Sequence, residues 1–445
     1  MEMPLGITTG LVVFFLGIMI GLPLCWVFLG SSVLVLVILG SPLLFMGPTI
    51  YHAFDSFVLM AISFFVLAGT IMSEAGIADR IVSLAYALVG RIKGGLIDTG
   101  IVATLFLSAL TGSSVPCIAT LIPLLVPQLE RYGYDRKYAT AVLCSSSFLG
   151  YLIPPSVPVL LYCLFSQQSV AAVFLSTVVP GLLLAGGYMI LNNFIVAKYM
   201  HPAKEIPELP ITFKESAKKV GIATWIALPG LGCPLIVLGG IYGGVFTPNE
   251  AGAIAVVYTL IVGLFIYREL NAKTLWTCFQ KTLSILGMVT LLVGFGTIFT
   301  RLMIREGVAQ VMAETIIRAF ESKYAILFMM NVFLLILGMF IDGTPILIIV
   351  VPLIMPLVDQ IGVNLVHLGA IIVVNIGLGV VTPPYAISIL VGSRLSGVPY
   401  THLVKPMLLF LLFVGLPVLF LTTYIPALSC WLPSAVLGPK IVGAW

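Results

Sequence analysis

Leu149-Gly150-Tyr151-Leu152-Ile153-Pro154-Pro155 recurs in pattern in the second half of the chain as Leu378-Gly379-Val380-Val381-Thr382-Pro383-Pro384. Each stretch is a Gly-x-x-x-Pro-Pro sequence inside an apolar run. Proline removes a backbone donor and clashes with the preceding helical turn, so each stretch predicts a break in the middle of a helix. Unwound backbone at membrane depth is tolerated only where it is buried in protein or lines a cavity. A matched pair of interrupted helices is the sequence pattern of a transporter binding site.

The composition is that of a membrane protein with many helices. Hydrophobic residues make up 60% and charged residues 9% of the 445 residues, which excludes an ordinary soluble domain and predicts an all-α polytopic membrane protein. The length leaves room for about a dozen segments of roughly 20 residues. The chain starts with the acidic Glu2 and two successive apolar runs, so no cleavable signal is predicted. The seven cysteines lack metal-ligand spacing and are interpreted as small core residues.

Twelve apolar runs divide the chain. They cover residues 5–29, 31–47, 56–75, 95–128, 138–165, 170–197, 221–243, 250–267, 275–300, 324–358, 366–393 and 404–428. The fourth and tenth runs are too long for one crossing, and polar tips interrupt them at Thr111-Gly112-Ser113-Ser114 and at Asp342-Gly343-Thr344-Pro345. Two half-length helices joined by such a tip predict a re-entrant hairpin, here over about 95–130 and 324–358. The two broken helices are predicted at about 138–165 and 366–393.

The distribution of lysine and arginine supports this topology. If neither hairpin crosses the membrane and the N-terminus lies outside, 16 of the 21 lysines and arginines lie inside and five lie outside. The five outside are Arg301, Arg305, Arg318, Lys323 and Lys440. This distribution agrees with the positive-inside rule, and treating either hairpin as a crossing scatters the charges. The sequence therefore predicts about ten crossings and two re-entrant hairpins.

The two halves are predicted to be repeats of inverted topology. A second pattern recurs at nearly the same separation as the two breaks: Met72, Gly76 and Ala78 correspond to Met303, Gly307 and Ala309. Residues 1–200 are the first repeat, residues 201–219 a cytoplasmic linker and residues 220–445 the second repeat. The charged amphipathic segments 76–93 and 307–323 are predicted to lie at the membrane interface. Inverted repeats of this kind build carriers that open alternately to the two sides of a membrane.

Six motifs resemble the large membrane subunit of tripartite ATP-independent periplasmic (TRAP) transporters. They are FVLAG at 65–69, TGSSV at 111–115, GYLIPPSVP at 150–158, GVFTPNEA at 244–251, LGMFID at 337–342 and GVVTPP at 379–384. The resemblance covers nearly the whole chain in order. It implies an elevator-type fold similar to that of the ion-transporter superfamily, in which a transport domain carries its site across the bilayer. It also implies sodium-coupled uptake of a small carboxylate-containing solute.

The resemblance implies partners as well. In this family a soluble periplasmic binding protein captures the solute and delivers it, and a small four-helix membrane subunit supports the large one. No apolar run is left over for the small subunit, so it is expected to be a separate chain. The expected location is the bacterial cell inner membrane.

By motif match, the resemblance implies two sodium sites built mostly from neutral oxygen atoms. The first set is Thr111, Ser114, Gly150, Ile153 and Pro155, and the second set is Gly338, Gly379, Thr382 and Tyr385. Thr111 replaces a common serine and keeps the hydroxyl, whereas Tyr385 replaces a smaller residue and offers its carbonyl. A single motif of this kind is better explained by helix packing through small residues. Two matched copies, each after a polar tip, favour a site. Sodium rather than proton coupling rests on the resemblance and on these neutral ligands.

Three further residues are candidate solute contacts. Ser113 lies on the first tip and Ser156 begins the half-helix after the first break, where helix starts favour a carboxylate. Asp342 is the carboxylate of the second tip, and an acid at membrane depth is a functional hypothesis by default. The alternative for each is that it only caps its helix. Asp98, Glu250 and the four histidines (His52, His201, His367 and His402) lie near segment ends and are expected to be solvated.

Four other classes of protein are weighed against this hypothesis. A sodium/dicarboxylate symporter that binds its solute directly has similar repeats and hairpins. A channel does not need matched hairpins with closed tips. A membrane enzyme needs a nucleophile–base pair or a metal site, and the His-Glu-x-x-His motif is absent. An ATP-driven pump needs a phosphate-binding loop, and the chain has no Gly-x-x-x-x-Gly-Lys-Ser/Thr.

Overall fold

The structure is a computed structural model that describes residues 5–90, 94–201, 213–320 and 322–445. These residues are helical apart from loops and one isolated antiparallel β-bridge, between Tyr134 and Met200. The helices of the first part are α1 Leu5–Met19, α2 Leu24–Ile38, α3 Met46–Phe54, α4 Phe57–Glu74, α5 Ile77–Val89, α6 Gly95–Thr111, α7 Ser114–Arg131, α8 Arg136–Ser146, α9 Val157–Ser166 and α10 Val170–Ile195. Most of the predicted linker, and the lysines and arginines at 91, 93 and 204, lie outside the described residues.

The second part of the described chain, residues 213–320 and 322–445, contains twelve helices. They are α11 Phe213–Tyr242, α12 Pro248–Ile261, α13 Ala272–Arg305, α14 Val308–Ala319, α15 Lys323–Phe340, α16 Gly343–Gln360, α17 Leu365–Gly379, α18 Ile387–Ser396, α19 Tyr400–Phe410, α20 Leu416–Tyr424, α21 Ala427–Leu437 and α22 Pro439–Val442. Short 3-10 or π-helical turns extend or precede several helices: Leu43–Phe45, Ser147–Tyr151, Val196–Tyr199, Val262–Ile266 and Leu411–Gly415.

Eight helices of the described residues are long and apolar enough to cross a membrane, which makes the chain a multi-pass membrane protein. They are α4, α10, α11, α12, α13, α15, α16 and the continuous α19–α20. Both arms of the second predicted hairpin belong to this set, because α15 and α16 have 18 residues each and are about 27 Å long. Length alone therefore does not separate a crossing from a hairpin arm, and the number of crossings stays a prediction.

The predicted boundaries of the first two apolar runs are wrong. The run 5–29 does not form one helix, since α1 ends at Met19 and α2 begins at Leu24. Gly21 has a left-handed φ of 82° and Pro23 is the N-cap of α2, so this pair separates the two helices. At the other end, α21 and α22 follow the last predicted run, and α21 packs against α10.

A pair of helices occupies the position of each predicted hairpin. Helices α6 and α7 are joined by Gly112 and Ser113, and α15 and α16 by Ile341 and Asp342. Gly112 has a φ of 59°, which glycine adopts without the steric cost that a side chain brings. Ser113 and Asp342 are the N-caps of α7 and α16 and occupy equivalent places in the two halves. Each tip therefore presents a helix N-terminus.

Both predicted breaks are present. Helix α8 passes through the 3-10 turn Ser147–Tyr151 into a non-helical stretch, 152–156, before α9 begins. Helix α17 ends at Gly379, and α18 begins only at Ile387. The Pro154-Pro155 and Pro383-Pro384 peptide bonds are both cis. Because neither proline pair donates a backbone hydrogen bond, the helical ladder stops at each pair, as the sequence predicts.

The order of elements repeats at a nearly constant separation along the chain. Helices α6, α7, α8, α9 and α10 correspond in order to α15, α16, α17, α18 and α19, and the interval between the starts of each pair is almost the same. The segments predicted at the membrane interface form helices α5 and α14, which begin after Gly76 (φ 65°) and Gly307 (φ 77°). The repeated glycine is thus the left-handed residue that starts each of these helices.

The hairpin of one half packs against the broken helix of the other half. Helix α7 packs against α18, and α16 packs against α9. The two broken helices also meet, because Ser147 donates a hydrogen bond to Ser388 at 3.3 Å between their hydroxyl oxygens. A Cβ atom added to Gly377 would lie only 2.6 Å from the ring of Phe148, so the ring occupies the space that a side chain at position 377 would need. These contacts gather both tips and both breaks into one assembly.

Candidate solute and ion site

The first tip and the first break touch through backbone atoms. The Val157 amide donates to the Gly112 carbonyl at 3.3 Å. A methyl group on Gly112 would lie 2.6 Å from the Pro155 carbonyl oxygen, and one on Gly150 would lie 2.7 Å from the Ser113 carbonyl oxygen. These distances are shorter than any van der Waals contact, so only glycine at both positions allows this approach.

The second half makes an equivalent contact one turn before its tip. A methyl group on Gly338 of α15 would lie 2.8 Å from the Gly379 Cα, and one on Gly379 would lie 2.6 Å from the Gly338 Cα. The end of the hairpin arm therefore meets the end of the broken helix backbone to backbone. Gly338 and Gly379, predicted as sodium ligands from sequence, are brought together.

The carbonyl groups of the first break divide into two sets. The Leu149 carbonyl accepts hydrogen bonds from the amides of Leu152 and Ile153. The Tyr151 carbonyl accepts from the Ser156 hydroxyl at 2.6 Å, and the Leu152 carbonyl accepts from the Thr177 hydroxyl at 2.7 Å. Of the groups that the structure describes, none donates to the carbonyls of Gly150, Ile153 or Pro155. These are the three carbonyls that the sequence predicts as sodium ligands.

The second break shows a similar division. The Gly379 carbonyl accepts from the Thr382 amide at 2.9 Å, and the Pro384 carbonyl accepts from the Tyr400 hydroxyl at 2.6 Å. The carbonyls of Gly338, Thr382 and Tyr385 have no donor among the residues described. Thr382 is buried, whereas the side chain of Tyr385 is exposed, so only the carbonyl of Tyr385 is available toward the break. A set of neutral oxygens without donors fits a monovalent cation.

The hydroxyl groups of the first predicted sodium site already have partners. Thr111 donates to the Leu107 carbonyl at 3.1 Å, and Ser114 donates to the Tyr151 hydroxyl at 3.3 Å. A hydroxyl that donates its proton still has lone pairs for a cation. Tyr151 is buried and joins the break to the tip. Tyr151 lies inside the first Gly-x-x-x-Pro-Pro motif but is not among the site residues predicted from the sequence. Its partner, Ser114, is 37 residues away, so no local pattern indicates the contact.

The three candidate solute residues differ in their available protons. Ser113 is partly buried and makes no side-chain capping bond, so its hydroxyl is uncommitted. Ser156 is buried, and its one proton is donated to the Tyr151 carbonyl. Because a carboxylate only accepts hydrogen bonds, a solute contact by Ser156 requires that bond to break. Asp342 is partly buried, and in its ionised form it repels an anion unless a cation lies between them.

Two cavities flank the first hairpin. The larger one, about 790 Å³, lies between α5, the α6–α7 hairpin and the start of α11, and Asp79, Thr99, Gln128, Tyr132 and Lys219 are among its lining residues. The smaller one, about 10 Å³, adjoins Thr111 and is the size of a single water molecule. The space beside Thr111 is therefore too small for a solute in this structure.

Three positions that the sequence predicts to be solvated have different outcomes. Glu250 is exposed and caps α12 together with Thr247, as expected for a segment end. The predictions for Asp98 and His367 are wrong, because both side chains are buried and hydrogen-bonded to residues distant in sequence. Neither residue lies at a tip or a break.

An all-α membrane chain with paired interrupted helices beside helical tips belongs to the transporter class of proteins. The family described as "Tripartite ATP-independent periplasmic transporter, DctM component" matches residues 11–428. The chain belongs to this family, whose members are permease components and not enzymes.

Individual relatives agree with this assignment. The chain is 35% identical over 420 residues to the C4-dicarboxylate TRAP transporter large permease protein DctM of Vibrio cholerae, covering 89% of this chain and 90% of that protein. It is 33% identical to the isethionate TRAP transporter permease protein DctMQ of Oleidesulfovibrio alaskensis, covering 93% of this chain and 64% of that longer protein. The fold is similar to that of the YdaH transporter of Alcanivorax borkumensis, with a TM-score of 0.63 at 18% identity over 97% of this chain and 100% of that one.

Proposed function

We propose that this chain is the large permease of a sodium-coupled carrier that imports a small organic anion delivered by a periplasmic binding protein. The observation that carries the proposal is the set of carbonyl groups without donors at Gly150, Ile153 and Pro155, beside neighbouring carbonyls that have donors. A backbone that leaves polar groups unsatisfied inside a protein normally loses stability. A bound cation supplies the missing partner.

The solute is proposed to carry a carboxylate. The named solute of one relative, a C4-dicarboxylate, carries carboxylates, whereas that of the other, isethionate, is a sulfonate, and both are small organic anions. The N-terminus of α7, with the uncommitted Ser113 hydroxyl, offers donors and the positive end of a helix dipole to such a group. Asp342 at the N-terminus of α16 supplies a negative charge that balances a sodium ion of the second site.

The transport step is proposed to be an elevator-type movement. The two hairpins and the two broken helices move as one body, in two halves of inverted topology with ten crossings. The reciprocal packing of α7 with α18 and of α16 with α9 supports one body. The constant separation of corresponding elements supports a duplicated unit, as in carriers that alternate between two sides.

The proposed assembly contains two further proteins in the bacterial inner membrane and periplasm. Family membership implies a small membrane subunit and a solute-binding protein. One relative, the isethionate TRAP transporter permease protein DctMQ, is longer than this chain, which covers 64% of it. Here we propose a separate small four-helix chain.

The proposal is tested by uptake into liposomes that contain this chain and the small subunit. The expected result is accumulation of a labelled dicarboxylate only with an inward sodium gradient and the binding protein. Accumulation without the binding protein would favour the alternative, a direct sodium/dicarboxylate symporter. Uptake driven equally well by a proton gradient in potassium buffer would contradict sodium coupling.

The hydroxyl groups of Ser114 and Thr382 are expected to be required for sodium affinity. Ser114→Ala and Thr382→Ala each remove one oxygen from a proposed coordination shell, so the sodium concentration for half-maximal uptake is expected to rise about tenfold. Thr297→Ala is the matched control, because Thr297 donates to the carbonyl four residues earlier, as Thr382 does, in α13. An unchanged sodium response in both site variants would remove these assignments.

The Ser113 hydroxyl is expected to set solute affinity rather than sodium affinity. Ser113→Ala deletes a donor at the start of α7, and a hydrogen bond to a charged group contributes about 1.5–3 kcal/mol, so the solute concentration for half-maximal uptake is expected to rise by about 10- to 150-fold. The measurement is the rate of uptake at saturating sodium as the concentration of the solute-loaded binding protein is varied. Ser83→Ala, on the exposed side of α5, is the control. Equal solute affinity in Ser113→Ala and the native protein would show that Ser113 only ends the hairpin.

A further inference from the structure

A buried carboxylate lies in the first hairpin, far from the tip. Asp98 in α6 is fully buried, and no other aspartate or glutamate of the described residues is buried. One carboxylate oxygen accepts from the Asn192 amide at 2.7 Å and the other from the Asn193 amide at 3.0 Å, both in α10. Within the described ranges no lysine or arginine pairs with it.

The orientation of these amide groups is fixed by other partners. The Asn192 side-chain oxygen accepts from the Tyr138 hydroxyl at 2.8 Å, and its nitrogen also donates to the Gly94 carbonyl at 3.2 Å. The Asn193 nitrogen also donates to the Met189 carbonyl at 2.7 Å. Both amide nitrogens therefore face Asp98, and the cluster ties α6 to α10 and, through Tyr138, to the broken helix α8.

The second half contains a polar cluster between the corresponding helices. Asn375 of α17 donates to the side-chain oxygen and the carbonyl of Asn331 of α15, both at 2.9 Å. Asn331 donates to the Thr423 hydroxyl of α20 at 2.8 Å. His367 of α17 contacts the Thr423 carbonyl at 3.2 Å and the Ser429 hydroxyl at 2.6 Å. This cluster ties the arm α15 to the broken helix α17 and to α20.

The two clusters occupy corresponding positions of the repeated elements. The interval in sequence between the two proline pairs also separates Tyr138 from His367 and, within two residues, Asn192 from Thr423, whereas Asn331 lies about one helical turn beyond the counterpart of Asp98. The residue types differ, but in each half they join a hairpin arm, a broken helix and the helix that follows it. Buried polar groups in a membrane protein are costly, so their presence in both halves indicates a function that apolar packing does not supply.

We propose that Asp98 is a positioning residue that holds the first hairpin to the broken helix and to α10, so that the three move as one body. It acts through Asn192 and Asn193 and does not touch the solute or the ions. The inference deepens the proposed elevator movement and rests on it. By this account the Asn331–Asn375–Thr423–His367 cluster does the same for the second hairpin.

A carboxylate is needed at this position because two amide groups donate to it. In Asp98→Asn the new side chain has nearly the same shape, but its NH₂ group faces the NH₂ group of Asn192 or Asn193. Two donors then meet, and a buried polar group is left without a partner. Adding Asn193→Asp restores a donor–acceptor pair between positions 98 and 193 but removes the donor to the Met189 carbonyl, so a partial recovery is expected. Asp79→Asn, on the exposed face of α5, removes the same charge without disturbing a buried cluster and serves as the control.

The test uses a native reporter of hairpin position as well as uptake. The Cys117 side chain is buried, and its thiol donates to the Ser113 carbonyl at the tip at 3.3 Å. In membrane vesicles, the alkylation rate of Cys117 by a small maleimide, followed by peptide mass spectrometry, is expected to rise at least fivefold in Asp98→Asn. It is expected to fall back toward the native rate in the double variant and to stay unchanged in Asp79→Asn. Sodium-driven uptake is expected to fall and recover in parallel.

The outcomes separate this inference from the proposed function. If Asp98→Asn leaves Cys117 protected, or if the double variant is no better than the single one, the positioning role is overturned while sodium-coupled uptake stands. If Cys117 responds and recovers as expected but the native protein shows no sodium dependence, the proposed function fails and the positioning role stands.

Discussion

Gly150→Ala and Gly379→Ala are each expected to reduce uptake by about tenfold or more. The added methyl groups would lie 2.7 Å from the Ser113 carbonyl oxygen and 2.6 Å from the Gly338 Cα. Both obstacles are backbone atoms, so the hairpin must move away from the break, and overpacking of this kind costs about 1–3 kcal/mol. The displaced carbonyls no longer form one coordination shell. The measurement is the initial rate of sodium-driven uptake at matched membrane expression.

The control for these glycine variants is Gly186→Ala. Gly186 lies in α10, where an added methyl group meets no atom within 4 Å, and alanine is a better helix former than glycine. This variant is expected to retain native uptake. Native uptake in Gly150→Ala and Gly379→Ala would show that the close contact between tips and breaks is not needed for transport.

Cross-linking the first hairpin to α11 is expected to abolish uptake. Gln128 of α7 and Lys219 of α11 line the same cavity of about 790 Å³, so a bifunctional maleimide can join cysteines placed at these two positions. If the hairpin moves relative to α11 during transport, the covalent bridge holds it in one position. The measurement compares uptake before and after cross-linking in the same proteoliposomes, with the bridge quantified by mass spectrometry.

A cross-link between the end of the first hairpin and the end of α10, which the Asp98 cluster joins, provides the matched control. Tyr134 and Met200 form a β-bridge flanked by the Asp135–Tyr199 and His201–Gly133 hydrogen bonds. This is the closely spaced type of antiparallel pair, which suits a disulfide. The Tyr134→Cys, Met200→Cys disulfide is expected to leave uptake intact. Full activity of the Gln128–Lys219 bridge would contradict a moving hairpin.

The parts of the fold that depend on local chemistry were predicted from the sequence. Proline pairs without backbone donors placed both breaks, and Gly112 and Asp342 marked both tips closely. The same reasoning applied to Gly21 and Pro23 predicts the end of α1, but the apolar residues on both sides concealed that break. A pair of prolines is therefore a sufficient local signal inside an apolar run, whereas a single glycine and a single proline are not.

The parts that depend on distant partners were not predicted. Asp98 resembles a solvated residue near a segment end because its partners, Asn192 and Asn193, lie far along the chain in α10. His367 was placed in solvent for the same reason, since Ser429 and Thr423 follow it only after several further helices. No periodicity or motif encodes such pairs, and only the packing of helices brings them together.

The orientation of the two hairpins is the claim on which the account depends, and the side of the membrane on which their ends lie tests it most directly. Single cysteines at Leu88, Arg131, Arg318 and Asp359 lie near the two ends of each hairpin, and all four side chains are exposed. They are labelled with a membrane-impermeant maleimide in right-side-out and inverted vesicles, in a background where the seven native cysteines are replaced by alanine. The account predicts that Leu88 and Arg131 react only from the cytoplasmic side and that Arg318 and Asp359 react only from the periplasmic side. Labelling of Leu88 and Arg131 from opposite sides, or of Arg318 and Asp359 from opposite sides, would show that a hairpin crosses the bilayer and would contradict the account.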